Sequence, residues 1–501
     1  MAPKKKREPR KDVKEKEDMV SLDQAAETLG VSRSTLYRWQ NQGRIRGFKV
    51  GRQWRFRRSD LQKFPEMRHP SAAAVNVGTV RGLAAQVAGD FKGEVTTQPD
   101  LGDYPTTEEE KAVEQLFTSI LLSAAKANAS DVHIDATRDD SVVRCRIDGV
   151  LHETVRIPHS VHAALVACAK AHAGLPLEQR SLPQDGRFRL QVDGDDHDVR
   201  LASIPAVHGE SVVMRLLAQT VHLPPLDRLG VHPDDIQRYE RAITAPSGLL
   251  IVTGPTGSGK TTVLYAGLRQ IARPDVKIHT VEDPVEYAFP HVTQVAVNRK
   301  AGLTFEAAQR ALMRHDPDVI MVGGIRSLES AELAAQAAIT GHLVMTTLHA
   351  ATAAGAVTRL LDMGVEPFML AETLICISSQ RLVRTVCPEC AQPDKPDFDI
   401  LSPLAERARA GGYRLPDEPK FTKGAGCDNC RGTGYRGRTG IYEVMEVDAT
   451  IQRLIAHRQS AAAIEQAAVR AGMTTLAADG LRKAAEGITT VTEVARLVPH
   501  D

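Results

Sequence analysis

Apolar positions first become regular near residue 19. Ser21 followed by Gln24 reads as a capping box opening a short helix, SLDQAAETL. Gly30 breaks it, Ser32 caps a second helix, SRSTLYRWQNQ, and the pair forms a helix-turn-helix pattern. Behind it, IRGFKVGRQWRFR alternates like two strands about Gly51, a candidate wing. Residues 65–104 show no sustained period and read as a linker. From Thr106, EEEKAVEQLFTSILLSAAKANA has the spacing of an amphipathic helix, and alternation predicts strands near Val142–Ile147 and Phe188–Val192. A proline-bearing joint, HLPPLDRLG, follows near residue 230. Short apolar runs (GLLIVTG, VKIHTV, DVIMVG, HLVMTTLH) then alternate with helical stretches, the rhythm of a parallel α/β sheet. The pattern divides the chain into a tail at 1–18, a helix-turn-helix at 19–64, the linker at 65–104 and a smaller domain at 105–225. An α/β core at 229–385, a cysteine module at 386–440 and a helical region at 441–501 complete it.

At 501 residues the chain is long enough for several domains, and 42% apolar with 25% charged residues excludes wholesale disorder. No apolar run approaches the ~18 residues of a membrane-spanning helix, and the basic N-terminus lacks the apolar core of a secretory signal. Both point to a cytoplasmic protein. The net charge of +1 hides an asymmetry: residues 1–68 hold 19 Lys/Arg against 9 Asp/Glu, leaving 44 against 53 in the remainder. Residues 31–59 contain nine Lys/Arg, no acid, and both tryptophans, Trp39 and Trp54. Such a surface can neutralise phosphates of duplex DNA; the rival reading is a protein-docking domain whose charge is merely solvated. The segment 19–64 resembles the excisionase/MerR-like winged helix family.

The run GLLIVT leads into Gly254, Pro255, Thr256, Gly257, Ser258, Gly259, Lys260 and Thr261, a full GxxxxGK[ST] between a strand and a helix. Glycines let backbone N–H groups close on phosphates, and the helix N-terminus adds its positive dipole end. Lys260 is expected at the β- and γ-phosphates of a nucleoside triphosphate, the Thr261 hydroxyl on Mg2+, and Thr262 beside them. Glu282 and Asp283 end a later strand on the side where open α/β sheets hold ligands. His342 and His349 flank another strand, TGHLVMTTLH, and His342 is a candidate to approach the phosphates. Four of the seven cysteines form two CxxC pairs, Cys387/Cys390 and Cys427/Cys430, which point to a metal rather than disulfides. The 36 residues between the pairs exceed the usual ribbon spacing, so spacing alone leaves free thiols open.

Taken with SDVHID, RCRIDGVL, LPQDGRFRL and HGESVVMRLL upstream, these boxes closely resemble the secretion ATPase superfamily over about 105–501. Within it they are most similar to the assembly ATPases of type II secretion and type IV pili. The resemblance implies a RecA-like P-loop core preceded by a smaller α+β (PAS-like) domain, with a C-terminal zinc module. It implies a homo-hexamer, peripheral to the inner membrane, that works on an inner-membrane platform protein and converts ATP to ADP and phosphate. It also implies that Cys387, Cys390, Cys427 and Cys430 hold structural Zn2+, and that Arg187, Arg200 and Arg215 reach the γ-phosphate. One departure matters. The family's second phosphate-side segment ends Gly-Glu-x-Arg-Asp, whereas this chain reads Gly323-Gly324-Ile325-Arg326-Ser327. Without that glutamate, Glu282 is the carboxylate left as a candidate general base. Two outcomes stay open: slow hydrolysis, or a DNA-associated regulator that binds ATP without turning it over.

Overall fold

The computed structural model describes residues 19–22, 24–25, 45–50, 53–58, 61, 76–87, 93–96, 107–218 and 223–498. The tail at 1–18, most of both expected head helices and Trp39 lie outside them. In the head, strand Gln53–Arg57 pairs antiparallel with Gly47–Val50 and with Met19–Ser21, so the alternation about Gly51 forms a hairpin. The Ser21–Gln24 capping box is formed, Gln24 N–H donating to Ser21 Oγ and Ser21 N–H to Gln24 Oε1. Val20, Ala25, Ile45, Phe56 and Leu61 bury together beneath it.

Two units divide the described chain. The first holds a seven-stranded sheet in the order 93–96, 184–192, 195–206, 209–218, 131–136, 140–147, 150–158. Helix Glu108–Lys126 starts at a Thr107/Glu110 capping box and buries Val113, Leu116, Phe117, Ile120 and Leu121 along one face. Each such fully buried large side chain contributes about 1.5–3 kcal/mol relative to exposure. The expected linker is corrected here. It contains helix Val77–Val87, which buries Val80, Ala84 and Val87 and packs on Glu108–Lys126, and strand Gly93–Thr96, which extends the sheet edge. The stripe of small apolar residues is too weak to stand out, and a four-residue strand carries too little alternation to read.

The second unit is built on another seven-stranded sheet, in the order 292–296, 278–282, 319–322, 343–348, 248–253, 374–386, 435–446. The first six strands are parallel and the seventh antiparallel. Gly248–Thr253 and Leu343–Leu348 are buried at every residue, as central strands of a doubly covered sheet must be. Alternation sorts their side chains between faces. Leu249 and Ile251 pack with helices Phe305–Leu312, Leu328–Ile339 and Ala353–Asp362, while Leu250 and Val252 pack with Pro233–Ile243 and Lys260–Ile271. The boundary expected at residue 440 falls inside strand Tyr435–Glu446, because pairing with Leu374–Val386 carries the chain back into the sheet. Four helices between Ala449 and Leu497 end the described chain. Among the described residues no helix is long and apolar enough to cross a membrane.

Candidate functional site: a phosphate loop and a four-cysteine centre

Strand Gly248–Thr253 stops at Gly254, and helix Lys260–Ile271 starts with Gly259 as its N-cap at φ 87°. A Cβ at Gly254 would lie 2.5 Å from Gln380 O, so only glycine lets the loop leave the sheet there. Lys260 Nζ donates to Gly254 O at 3.0 Å and to Pro255 O at 2.8 Å, and partial burial lowers its pKa. Ser258 is buried and its Oγ has no partner, whereas Pro255, Thr256 and Gly257 are exposed. Thr261 and Thr262 sit half-buried in the first helical turn. A curled loop at a helix N-terminus, with a cation held on its own carbonyls and an unpaired hydroxyl, fits a polyphosphate and its Mg2+.

Two strands along the sheet, Val319–Val322 runs into Gly323 and Gly324. Gly323 N–H donates to Val281 O at 2.8 Å and Ile325 N–H to Thr347 O at 2.9 Å, so both sides of the segment are tied to the sheet. A Cβ at Gly324 would lie 3.1 Å from Thr347 Oγ1, a contact that a turn of that hydroxyl can accommodate. Ser327 Oγ bonds Glu306 Oε1 at 2.9 Å and caps helix Leu328–Ile339. Glu282 is buried, and its carboxylate accepts from Tyr265 O–H, from Thr280 Oγ1 at 2.6 Å and from Gln294 Nε2 at 3.1 Å. Asp283, one residue on, pairs with Arg299 at 3.2 Å and Arg326 at 3.3 Å.

The structure does not bring His342 to the loop, which corrects that expectation. His342 precedes Leu343, which pairs with Gly248, whereas the loop follows Thr253, opposite Leu348. At about 3.3 Å per residue, that is roughly 16 Å of strand away. Its Nδ1–H donates to Ala337 O at 2.8 Å, closing the turn after helix Leu328–Ile339. His349 follows the correct end. Partial burial, then the charges of Lys260 and Arg326, hold its imidazole below the ordinary pKa. Thr253 Oγ1 ties the two segments, donating to Leu348 O and accepting from Ala350 N–H. The rule that ligands sit beyond strand C-termini could have selected His349 over His342. Arg187, Arg200 and Arg215 all belong to the first unit. Arg187 is exposed, Arg200 lies 3.9 Å from Asp198, and Arg215 pairs with Asp131 at 2.9 Å.

The four cysteines converge at the end of the second sheet. Sulfur separations are 3.8 Å for Cys387–Cys427, 3.8 Å for Cys390–Cys430 and 3.7 Å for Cys427–Cys430. A tetrahedron with metal–sulfur bonds of ~2.3 Å has edges of about 3.8 Å, so these sulfurs fit zinc. Backbone N–H groups of Cys427 and Gly434 donate to Cys430 Sγ at 3.1 and 3.2 Å. Against the upward push of burial, they pull its thiol down to about 6. The long spacing has a structural cause: Ala391–Pro393 pairs with Thr422–Gly424, closing the insertion at its base. Helix Phe398–Ala410 then buries Leu404 and Ala408 against Leu476 and Leu481.

Glu114, Cys168 and His172 form a second cluster, in the first unit. Cys168 Sγ donates to Glu114 Oε2 at 3.1 Å, and His172 Nε2 meets Oε1 at 2.7 Å. Phe117 stacks on the imidazole, whose Nδ1 is buried without the second partner that orients a metal-bound histidine. Protons bridge this cluster, and it is core.

The profile of the family described as "Type II/IV secretion system protein" matches residues 106–496, and that of "Helix-turn-helix domain" matches residues 19–68. The chain is 44% identical to the type IV pilus assembly ATPase PilB of Thermus thermophilus over 391 residues. That match spans 78% of this chain but only 43% of the relative, less than half its length. It is 42% identical over 422 residues to the type II secretion system protein HxcR of Pseudomonas aeruginosa, covering 83% of this chain and 85% of that one. The ADP-bound pilus retraction motor PilT superposes with a TM-score of 0.52 at 25% identity, over 76% of this chain and 97% of the motor.

Proposed function

Because the chain belongs to the type II/IV secretion system protein family, we propose that it is an assembly ATPase of a type II secretion or type IV pilus machine. It binds Mg2+-ATP in the Gly254–Thr262 loop and hydrolyses it slowly. The observation that carries this reading is the loop itself, with Lys260 Nζ resting on the Gly254 and Pro255 carbonyls. Triphosphate oxygens, being charged acceptors, outcompete those carbonyls for the ammonium, so Lys260 moves from loop to ligand. Thr261 offers its hydroxyl to Mg2+, which supplies charge neutralisation between the phosphates when bound.

Slow turnover follows from the carboxylates. Gly324 supplies none, and Glu282 is buried with Tyr265, Thr280 and Gln294 all donating to its carboxylate, which weakens it as a base toward water. His349, beside Lys260, is the histidine we assign to the phosphate end, in place of His342. Arg187, Arg200 and Arg215 serve as charge stabilisers in a homo-hexamer, for which Arg215 must give up its pair with Asp131. Cys387, Cys390, Cys427 and Cys430 hold a structural Zn2+ that folds the module. The oligomer works at the cytoplasmic face of the inner membrane against a platform protein.

A second reading is favoured by Gly324 and by the helix-turn-helix match at 19–68. In it the chain is a nucleotide-gated regulator whose head binds duplex DNA. Steady-state phosphate release from Mg2+-ATP, for the native chain, Gly324→Glu and Lys260→Ala, separates the two. Native release above the Lys260→Ala background supports the slow motor. A silent native chain awakened by Gly324→Glu favours the switch. Turnover in the native chain equal to Gly324→Glu would remove the argument for slow hydrolysis altogether.

A further inference from the structure

Strand Leu374–Val386 runs parallel beside Gly248–Thr253, with Val252 opposite Ser378 and Thr253 opposite Ser379. Gln380 is therefore the first residue level with the loop, and it is 1% exposed. Its Nε2 donates to Ser258 O at 2.7 Å. The amide's orientation is decided by that partner, since a carbonyl only accepts. Both ends of the loop lie against this one residue: a Cβ at Gly254 would sit 2.5 Å from Gln380 O, and one at Gly259 3.2 Å from Gln380 Nε2. Gln380 Oε1 and Ser258 Oγ are both buried without partners. A buried glutamine with half its amide unpaired is a costly way to fill space. Such a cost persists where the paired half does something packing cannot.

We infer that Gln380 is a positioning residue that pre-sets the phosphate loop for its ligand. In a trans peptide the C=O and N–H point in opposite directions. Holding Ser258 O toward the strand turns the Gly259 N–H away from it, into the loop, where it meets phosphate oxygen. The task needs an uncharged donor. A carboxylate would repel both the Ser258 carbonyl and the phosphates, and an apolar side chain would leave the peptide free to rotate. The inference rests on the nucleotide-binding reading above and adds the residue that shapes the loop from behind.

The test is titration of the full-length chain with Mg2+-ATP by calorimetry, between pH 6 and 8.5, with melting temperatures measured in parallel. Native chain, Lys260→Ala, Gln380→Met and Gln380→Glu are compared. Gln380→Met is expected to bind about tenfold more weakly, the scale of one lost hydrogen bond and the order it imposes. Gln380→Glu is expected to bind more weakly still at pH 8. Its deficit against the native chain should shrink as pH falls, because the protonated carboxyl regains a donor for Ser258 O. A space-filling role would leave Gln380→Met, which fills the same space without a donor, at native affinity. If Gln380→Met fails to fold, Gln380→Leu takes its place as the variant without a donor. Binding by both variants within twofold of native would overturn the inference, as would a Gln380→Glu deficit that ignores pH. If the native chain binds no tighter than Lys260→Ala, the nucleotide reading falls and the role of Gln380 falls with it.

Discussion

Two strand ends in one sheet, separated by a single strand, have kept different things. Beyond Gly248–Thr253 stands a complete phosphate cradle: left-handed glycines, a helix N-terminus, Lys260 and two threonines. Beyond Val319–Val322 the backbone holds its place through the Val281 and Thr347 carbonyls, yet Gly323 and Gly324 put no carboxylate into the site. The first end has what ligand binding requires. On the reading proposed above, the second lacks the carboxylate that would position a water. Binding draws on many small contacts from backbone donors and cations, whereas hydrolysis depends steeply on where a few groups stand. On that reading, affinity and turnover belong to separate strand ends and can be lost separately.

The largest effect is expected of Lys260→Ala. It should weaken Mg2+-ATP binding at least about 100-fold by calorimetry, since it removes the loop's own cation, which charged oxygens would claim. Gly324→Glu tests the other strand end. Restoring a carboxylate should raise phosphate release by about 100-fold while leaving ATP affinity within about threefold. A change in affinity with no change in rate would erase the distinction between the two ends. The Thr347→Ala background, which clears the 3.1 Å contact, controls for crowding.

A third test asks whether the cradle needs the module that shares its supporting strand, Leu374–Val386. Metal analysis should find one zinc per chain, lost in Cys390→Ser. The melting temperature should fall by several degrees while Mg2+-ATP affinity changes less than about threefold, because the metal stabilises mainly the segment it cross-links. The smallest effect concerns protons. Burial and the positive neighbours Lys260 and Arg326 depress the His349 pKa, so it is neutral at pH 7 without ligand. Phosphate charge reverses that field and raises the pKa, so binding takes up a fraction of a proton and tightens as pH falls from 8 to 6. Calorimetry in two buffers of different ionisation enthalpy should show the uptake, and His349→Gln should abolish it, costing about two- to threefold in affinity at pH 6.

Much of this was legible in residues alone because the determinants are local. The loop from Gly254 to Thr261, the apolar runs of the parallel strands and the two CxxC pairs each declare themselves within ten residues. So does the absence at Gly324, once the neighbouring boxes fix the alignment. What remained hidden depends on groups far apart in the chain. Helix Val77–Val87 and strand Gly93–Thr96 are stabilised by a helix and a strand elsewhere, so their own pattern is faint. Which histidine lies at the loop end of the strand follows from strand direction and register, since both residues lie equally close to the strand in sequence. Glu282 reads as a free base until Tyr265 and Gln294 close over it. Gln380 carries no local signal, for its partner is 122 residues away. Residue type alone declared the chemistry on offer here: a phosphate-loop motif, a missing carboxylate, four cysteines in two pairs. Only the tertiary structure decided which groups are free to act, because burial and hydrogen bonding to distant partners, rather than residue type, set whether a side chain can meet a ligand.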